Sequence, residues 1–251
     1  MLEKNCDKIL GILKPQDLVL DVGGWACPFN RANFVLDMEP YETRGFYRTF
    51  GGKAYQGPAT ESFSKASWFT RDICAREPWP FHDKQFDFAI CSHTLEDIRD
   101  PIGVCQELMR VAKRGYIEVP SVHSELSRGR EKPRMPGLSH HRWLVTQNDN
   151  KLDFVQKYQF MHHHWRFSFP RSYGDSLNED KRVLTFFWED RFEANEIVIH
   201  GPSNQENQIQ NMIQTIRPYS SISLGVDRWL RQAEGLAARI TSKCQRVFRL
   251  K

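Results

Sequence analysis

Residues 83–121 read D-K-Q-F-D-F-A-I-C-S-H-T-L-E-D-I-R-D-P-I-G-V-C-Q-E-L-M-R-V-A-K-R-G-Y-I-E-V-P-S, and this stretch decides the fold. Phe86 to Cys91 is a short apolar run rich in aromatic and branched residues, with the length of a buried strand. Asp100-Pro101 predicts a helix start, because Asp can cap free amides and Pro at the first helical position gives up an N–H that has no partner there. Ile102, Cys105, Leu108, Met109 and Ala112 then fall at helical spacing on one face. Lys113 and Arg114 suit the negative end of that helix, and Gly115 is expected to end it in a left-handed conformation. Tyr116 to Val119 predicts a second strand. Strand, helix and strand with a short return form a parallel crossover unit, right-handed by default. Ligands of open parallel sheets sit beyond the carboxyl ends of the strands. Ser92, His93, Glu96 and Asp97 after the first strand, with Pro120 and Ser121 after the second, should therefore rim a site.

Upstream the same logic repeats. Residues 3–14 predict a short amphipathic helix stopped by Pro15. Asp17 to Val22 predicts a strand that feeds the turn Gly23-Gly24, where the missing side chains allow a close backbone approach. Pro28 leaves little room for a helix after it. Asn33 to Asp37 predicts the next strand, with Asp37 at its carboxyl end as an exposed acid able to accept from both hydroxyls of a ribose. Trp68 to Ile73 predicts a third, ending at Asp72. The fingerprint G-x-G-x-x-G is missing, which argues against a nicotinamide enzyme.

The run P-F-H-D-K-Q-F-D-F-A-I-C-S-H-T-L-E-D-I-R-D-P, residues 80–101, resembles the fourth-strand region of class I S-adenosylmethionine-dependent methyltransferases. The likeness is to the small-molecule type, which carries a Ser-His-x-Leu-Glu-His-like segment after that strand. Asp97 stands where the last His is usual, and Trp25 stands where the opening glycine turn has its next glycine. The resemblance covers residues 17–121, about half the chain. It implies a Rossmann-like α/β sheet with helices on both faces and S-adenosyl-L-methionine as cofactor. It also implies cofactor contacts from Asp21, Gly23, Gly24, Asp37, Asp72, Ile73, Ser92 and His93, with Asp72 and Ile73 beside the adenine. Methyl transfer needs an acceptor held in line with the sulfonium methyl and one proton removed. Glu96, Asp97 and His141 are the candidates for that catalytic work. The expected acceptor is a small molecule or a glycan. The rival expectation is a non-catalytic module of the same fold that binds a ligand or a membrane surface.

Residues 40–67 are a long insertion rich in Gly, aromatic and basic residues, readable as a lid over the cofactor or as a packed surface loop. Residues 122–139 are polar, basic and broken by Pro133 and Pro136, and predict a mobile connection. In His140-His141-Arg142-Trp143, one His could act as a base or hold a substrate anion, or could pack under Trp143. Adjacent side chains of an extended chain point apart, so a shared metal is not expected from this pair. Residues 152–160, 183–188 and 193–200 predict strands completing the sheet. His162 and His164 would share one side of a strand, but no Cys or carboxylate at ligand spacing accompanies them, and no metal is expected.

The 251 residues suffice for one α/β domain, here residues 1–203, with a helical extension over 204–251. In that extension Val226, Trp229, Leu230, Ala233, Leu236, Ala237, Ile240, Cys244, Val247 and Phe248 keep an apolar stripe. Arg228, Arg231, Arg239, Lys243, Arg246 and Arg249 ride beside it. Such a helix packs on its own domain, self-associates, or makes a peripheral contact with an anionic membrane. The net charge of +4 is mild, and no nucleic-acid surface is expected. Six Cys without a C-x-x-C pair read as free thiols. With no leader pattern and no run near the ~18 apolar residues of a span, a cytoplasmic protein is expected.

Overall fold

The computed structural model describes residues 1–163, 167–199 and 201–216. The chain divides into two units, 1–200 and 201–251. Among the described residues, nine strands and seven helices follow in order: α1 (Glu3–Ile12), β1 (Val19–Val22), β2 (Phe34–Asp37), β3 (Trp68–Thr70), β4 (Phe88–Ser92), α2 (Pro101–Val111), β5 (Arg114–Pro120), α3 (Val122–Leu126), β6 (Trp143–Asn148), β7 (Lys151–Gln156), α4 (Phe160–His163), α5 (Arg171–Ser176), α6 (Glu179–Arg182), β8 (Val183–Glu189), β9 (Glu193–Glu196) and α7 (Pro202–Ile216).

The main sheet runs β3-β2-β1-β4-β5-β8. Its first five strands are parallel, and β8 closes the edge antiparallel to β5. This is the α/β, Rossmann-like sheet that the sequence predicts, with the order reversing between β1 and β4. The inner strands β1, β2, β4 and β5 are buried on both sides, so each divides its side chains between two cores. Leu20, Val22, Ala89 and Cys91 join one core with α2 residues Val104, Cys105 and Leu108. Val19, Phe88, Ile90 and Tyr116 join the other with Cys6 and Ile9 of α1. Asp21 and Glu118, each two positions along its strand from Val19 or Tyr116, share that second face.

Asp100 caps α2 as predicted, accepting from the Gly103 N–H at 2.8 Å. Gly115 does not end that helix. It lies within β5, where an added Cβ would stand 2.4 Å from the Ala89 carbonyl oxygen and 2.7 Å from the Trp188 ring. The requirement for glycine there is close packing, not a left-handed backbone.

Three further expectations are corrected. Of the three stretches expected to complete the main sheet, 183–188 does so within β8, whereas β7 and β9, from 152–160 and 193–200, leave it for β6. They form a separate sheet, β6-β7-β9, whose Trp143, Val145, Leu152 and Phe154 pack into the α2-side core. The stretch after Ser121 is not a mere connection: it opens with α3, capped by the Ser121 hydroxyl accepting from the Ser124 N–H. His162 lies on a short helix, not a strand; His164 is outside the described residues. The second unit holds α7, and the predicted stripe from Val226 onward falls outside the described residues. No described helix is long and apolar enough to cross a membrane.

Candidate cofactor cleft and acid-histidine cluster

A cleft of about 320 Å³ opens at the carboxyl ends of β1 and β4. Asp21, Gly23, Gly24, Ser92 and His93 line it, with Tyr47, Phe50 and Lys53 from the 40–67 insertion. The insertion therefore forms one wall of the cleft. Its Phe46 stacks on Trp25 at 4.7 Å between ring centres, so Trp25 anchors that wall to the glycine turn.

Both glycines are required by neighbouring side chains. Gly23 has φ +74°, and a Cβ there would fall 2.2 Å from the Thr94 hydroxyl. A Cβ on Gly24 would fall 2.2 Å from Oδ2 of Asp21. That same oxygen accepts the Phe29 N–H at 2.8 Å. Burial pushes the Asp21 carboxyl up to about 7, against the pull of the Phe29 hydrogen bond. A buried acid of this kind favours a cationic partner. Ser92 Oγ is buried in the cleft wall with no hydrogen-bond partner among the described residues. An orphaned hydroxyl and an underpaired carboxylate fit a polar, positively charged ligand such as S-adenosylmethionine.

Three of the predicted cofactor residues stand apart from this lining. Asp37 is buried, not exposed. Its Oδ2 accepts the Trp25 N–H and its Oδ1 the Glu39 N–H, both at 2.9 Å. Burial raises its carboxyl despite these bonds. Asp72 pairs with Arg99 at 2.7 Å, which lowers its carboxyl. Ile73 belongs to the α2-side core. Asp37 ends β2 as expected, but β3 stops at Thr70 and leaves Asp72 and Ile73 in the turn beyond it; how Asp37 and Asp72 are engaged depends on Trp25 and Arg99, partners from other segments.

His93 holds a left-handed backbone, φ 55°, which turns its ring back over the sheet. Its Nε2 lies 3.0 Å from Oε1 of Glu118 and its Nδ1 3.4 Å from Oε1 of Glu96. Burial opposes the imidazolium, but these carboxylates raise it to about 9. Burial also opposes ionisation of Glu118. The His93 bond, the Met1 amine, the Tyr116 hydroxyl and the Leu2 N–H together bring it down to about 2.

Beside this lies a second cluster. His141 Nε2 is 3.5 Å from Oδ1 of Asp97, and its Nδ1 is 2.8 Å from Oε1 of Glu125. Lys157 Nζ holds the other Glu125 oxygen at 2.8 Å and also donates to the Leu138 carbonyl. Burial raises the Asp97 carboxyl to about 6, Glu96 adding to the effect and His141 and His140 opposing it. Burial disfavours charge on His141, but Glu125 and then Asp97 raise it. The predicted trio Glu96, Asp97 and His141 is thus brought together: the Glu96 carbonyl accepts the N–H groups of Arg142 and Trp143, at 2.6 and 3.2 Å, which draws the β6 approach against the end of β4. Tyr47 joins cleft and cluster, since burial and then the Asp97 and Glu96 charges raise its phenol.

Glu125 and Lys157 are the residues that sequence reading missed. Glu125 sits in a stretch read as a connection, and Lys157 at the end of a strand. The one available signal was the capping pair Ser121 and Ser124 around a short apolar turn.

Residues 59–117 match the family model of the methyltransferase domain, so the resemblance read from this region is borne out. A comparison with curated proteins finds no match. Among solved structures the chain is similar to a SAM-dependent methyltransferase from Aquifex aeolicus, at 19% identity and TM-score 0.30, over 51% of this chain and 70% of that one. It is similar to a SAM-dependent methyltransferase from Methanosarcina mazei, at 18% identity and TM-score 0.33, over 56% and 85%. It is similar too to the arsenic(III) S-adenosylmethionine methyltransferase of Chlamydomonas reinhardtii, at 15% identity and TM-score 0.29, over 42% and 39%. The chain spans about half the length of three others, 47, 52 and 52%.

Proposed function

We propose that this chain, which carries a methyltransferase-family segment at residues 59–117, binds S-adenosyl-L-methionine and transfers its methyl group to a small-molecule or glycan-type acceptor. The observation that carries this reading is the cleft at the β1 and β4 ends, where Asp21 and the orphaned Ser92 hydroxyl meet the Gly23-Gly24 turn. The bound cofactor supplies an electrophilic methyl on a sulfonium. Asp21 offers the buried charge that such a cation favours, and Ser92 offers a hydroxyl to its polar groups. Asp37 acts on this side through the loop, holding Trp25 and Glu39 in place, and a ribose edge can still use its remaining lone pairs.

On the acceptor side, Asp97 and His141 stand where a nucleophile's hydrogen would be handled, with Glu125 and Lys157 fixing the His141 ring. Positioning supplies most of the rate in such a transfer. Tyr47 and Phe50 of the 40–67 insertion form one side of the cleft beside the methyl.

The test is incubation with methyl-labelled S-adenosylmethionine and a panel of hydroxyl- and amine-bearing small molecules and oligosaccharides. Label should pass to at least one class, and His141→Gln should lower the rate by about 10²–10⁴-fold, the usual worth of proton handling. A chain that binds no cofactor at millimolar concentration would overturn the reading and favour the non-catalytic module.

A further inference from the structure

Asp97, His140 and His141 make a constellation that extended-chain reasoning excluded. Residues 139 and 140 form a turn, which folds the two imidazoles together, their ring centres 4.6 Å apart and their planes at 85°. Both Nε2 atoms then face Oδ1 of Asp97, at 3.9 Å from His140 and 3.5 Å from His141. One donor atom from each residue lies within 4.8 Å of the other two. A tetrahedral centre with bonds of about 2.1 Å separates its ligand atoms by roughly 3.4 Å. The observed spacing therefore needs only a small closure around one ion.

Two independent features point the same way. His141 presents its Nε2 because Nδ1 is engaged at 2.8 Å by Glu125, itself 1% exposed and held by Lys157. A carboxylate on the far nitrogen is how ligating imidazoles are oriented. Asp97 Oδ1 is buried yet has no hydrogen-bond partner among the described residues; at 3.5 Å the His141 contact is too long and loose to satisfy it. An ordinary hydrogen-bonded Asp-His pair would have closed that gap.

We propose that Asp97 Oδ1, His140 Nε2 and His141 Nε2 bind one divalent first-row metal ion of the zinc class, with a fourth position open. Two imidazoles and one carboxylate suit such an ion and not magnesium or calcium, which take oxygen ligands. Three protein ligands and an open position are the pattern of a catalytic centre, not of a closed structural one. This deepens the methyl-transfer reading and rests on it for one point, the use of the open position. An acceptor hydroxyl bound there releases its proton to water more readily; its oxygen then forms the new O–C bond as the S–C bond breaks and the sulfonium leaves as a neutral thioether. Asp97 and His141 thus act on the acceptor through the ion.

The experiment is calorimetric titration of the chelator-washed full chain with zinc chloride, paired with the visible spectrum of the cobalt(II)-loaded protein. One zinc per chain and an intense four-coordinate cobalt spectrum are expected. His140→Ala should weaken zinc binding at least tenfold and bleach the spectrum. His140 is 62% exposed at its side chain, so this variant keeps its fold, and its affinity for S-adenosylmethionine should be unchanged. No zinc binding by the intact chain would overturn the inference, as would undiminished binding in His140→Ala, which would place the ion elsewhere. Zinc binding without cofactor binding would leave the metal site standing and remove the methyl-transfer reading; cofactor binding without zinc would do the reverse.

Discussion

His93 Nε2 lies 3.0 Å from Oε1 of Glu118, and this contact ties the turn after β4 to β5 beneath the cleft. Glu118 is 0% exposed and also receives the Tyr116 hydroxyl, whose own partner is Asn5 of α1 at 2.8 Å. The floor of the cleft is therefore a buried polar chain, and its ionisation sets how the fold responds to pH.

His93 is raised from 6.5 to about 9, so its contribution to stability is full below its unfolded value and is lost as pH rises through 9. Glu118 is lowered from 4.5 to about 2, so its contribution is full above 4.5 and is lost as pH falls through 2. Both are complete only between 4.5 and 6.5. Thermal melts should show the wild type losing several degrees from about pH 6 to about pH 9. Glu118→Gln should melt lower at the acid end of that interval and show a flatter alkaline slope. Parallel slopes for the two proteins would remove the ion pair from the account.

Asp21 has the opposite character. Its carboxyl is raised from 3.8 to about 7, so the folded state holds a proton that the unfolded state releases, and stability is lost between those two values as pH rises. Asp21→Asn keeps an acceptor for the Phe29 N–H and removes the buried charge. At about pH 8 it should melt at or above the wild type, by up to a few degrees, and at about pH 4 the two should coincide. Its affinity for S-adenosylmethionine should fall about tenfold or more, as a cationic ligand loses its buried counter-charge. A variant that melts lower at both pH values would show that Asp21 stabilises the apo fold.

Much of this was legible in the residues. The Asp100-Pro101 helix start, the apolar run after Phe86 and the strand-end acids are local signals, and local signals fix which elements form and in what order. They also bring Glu96 and Asp97 to the end of β4. Other features depend on contacts between distant segments and leave no local trace. Gly115 looked like a helix terminator because it follows two basic residues, but the Ala89 carbonyl and the distant Trp188 are what exclude a side chain there. Asp37 looked exposed because strand ends usually are; Trp25 folds its amide onto it. His140 and His141 looked divergent because the extended chain alternates, and a turn brings them together.

Asp37, buried at the end of β2, should contribute to stability. Asp37→Ala removes the acceptor of two backbone N–H groups, Trp25 and Glu39. It should cost roughly 1–3 kcal/mol of stability and loosen the Phe46 wall that Trp25 carries. Asp37→Asn, which retains one acceptor oxygen, should lose less. Urea titration of the three proteins checks this. Unchanged midpoints would mean that water replaces the carboxylate without loss.

The central claim is that S-adenosylmethionine occupies the cleft at the β1 and β4 ends. Isothermal titration of the cofactor into the wild type and into Ser92→Trp tests it most directly, since the indole would fill the space beside the Ser92 hydroxyl. One site per chain in the micromolar range is expected for the wild type, with a loss of at least tenfold, about 1.4 kcal/mol, in a Ser92→Trp protein that still melts cooperatively. No heat of binding at millimolar cofactor, or equal affinity in the two proteins, would contradict it.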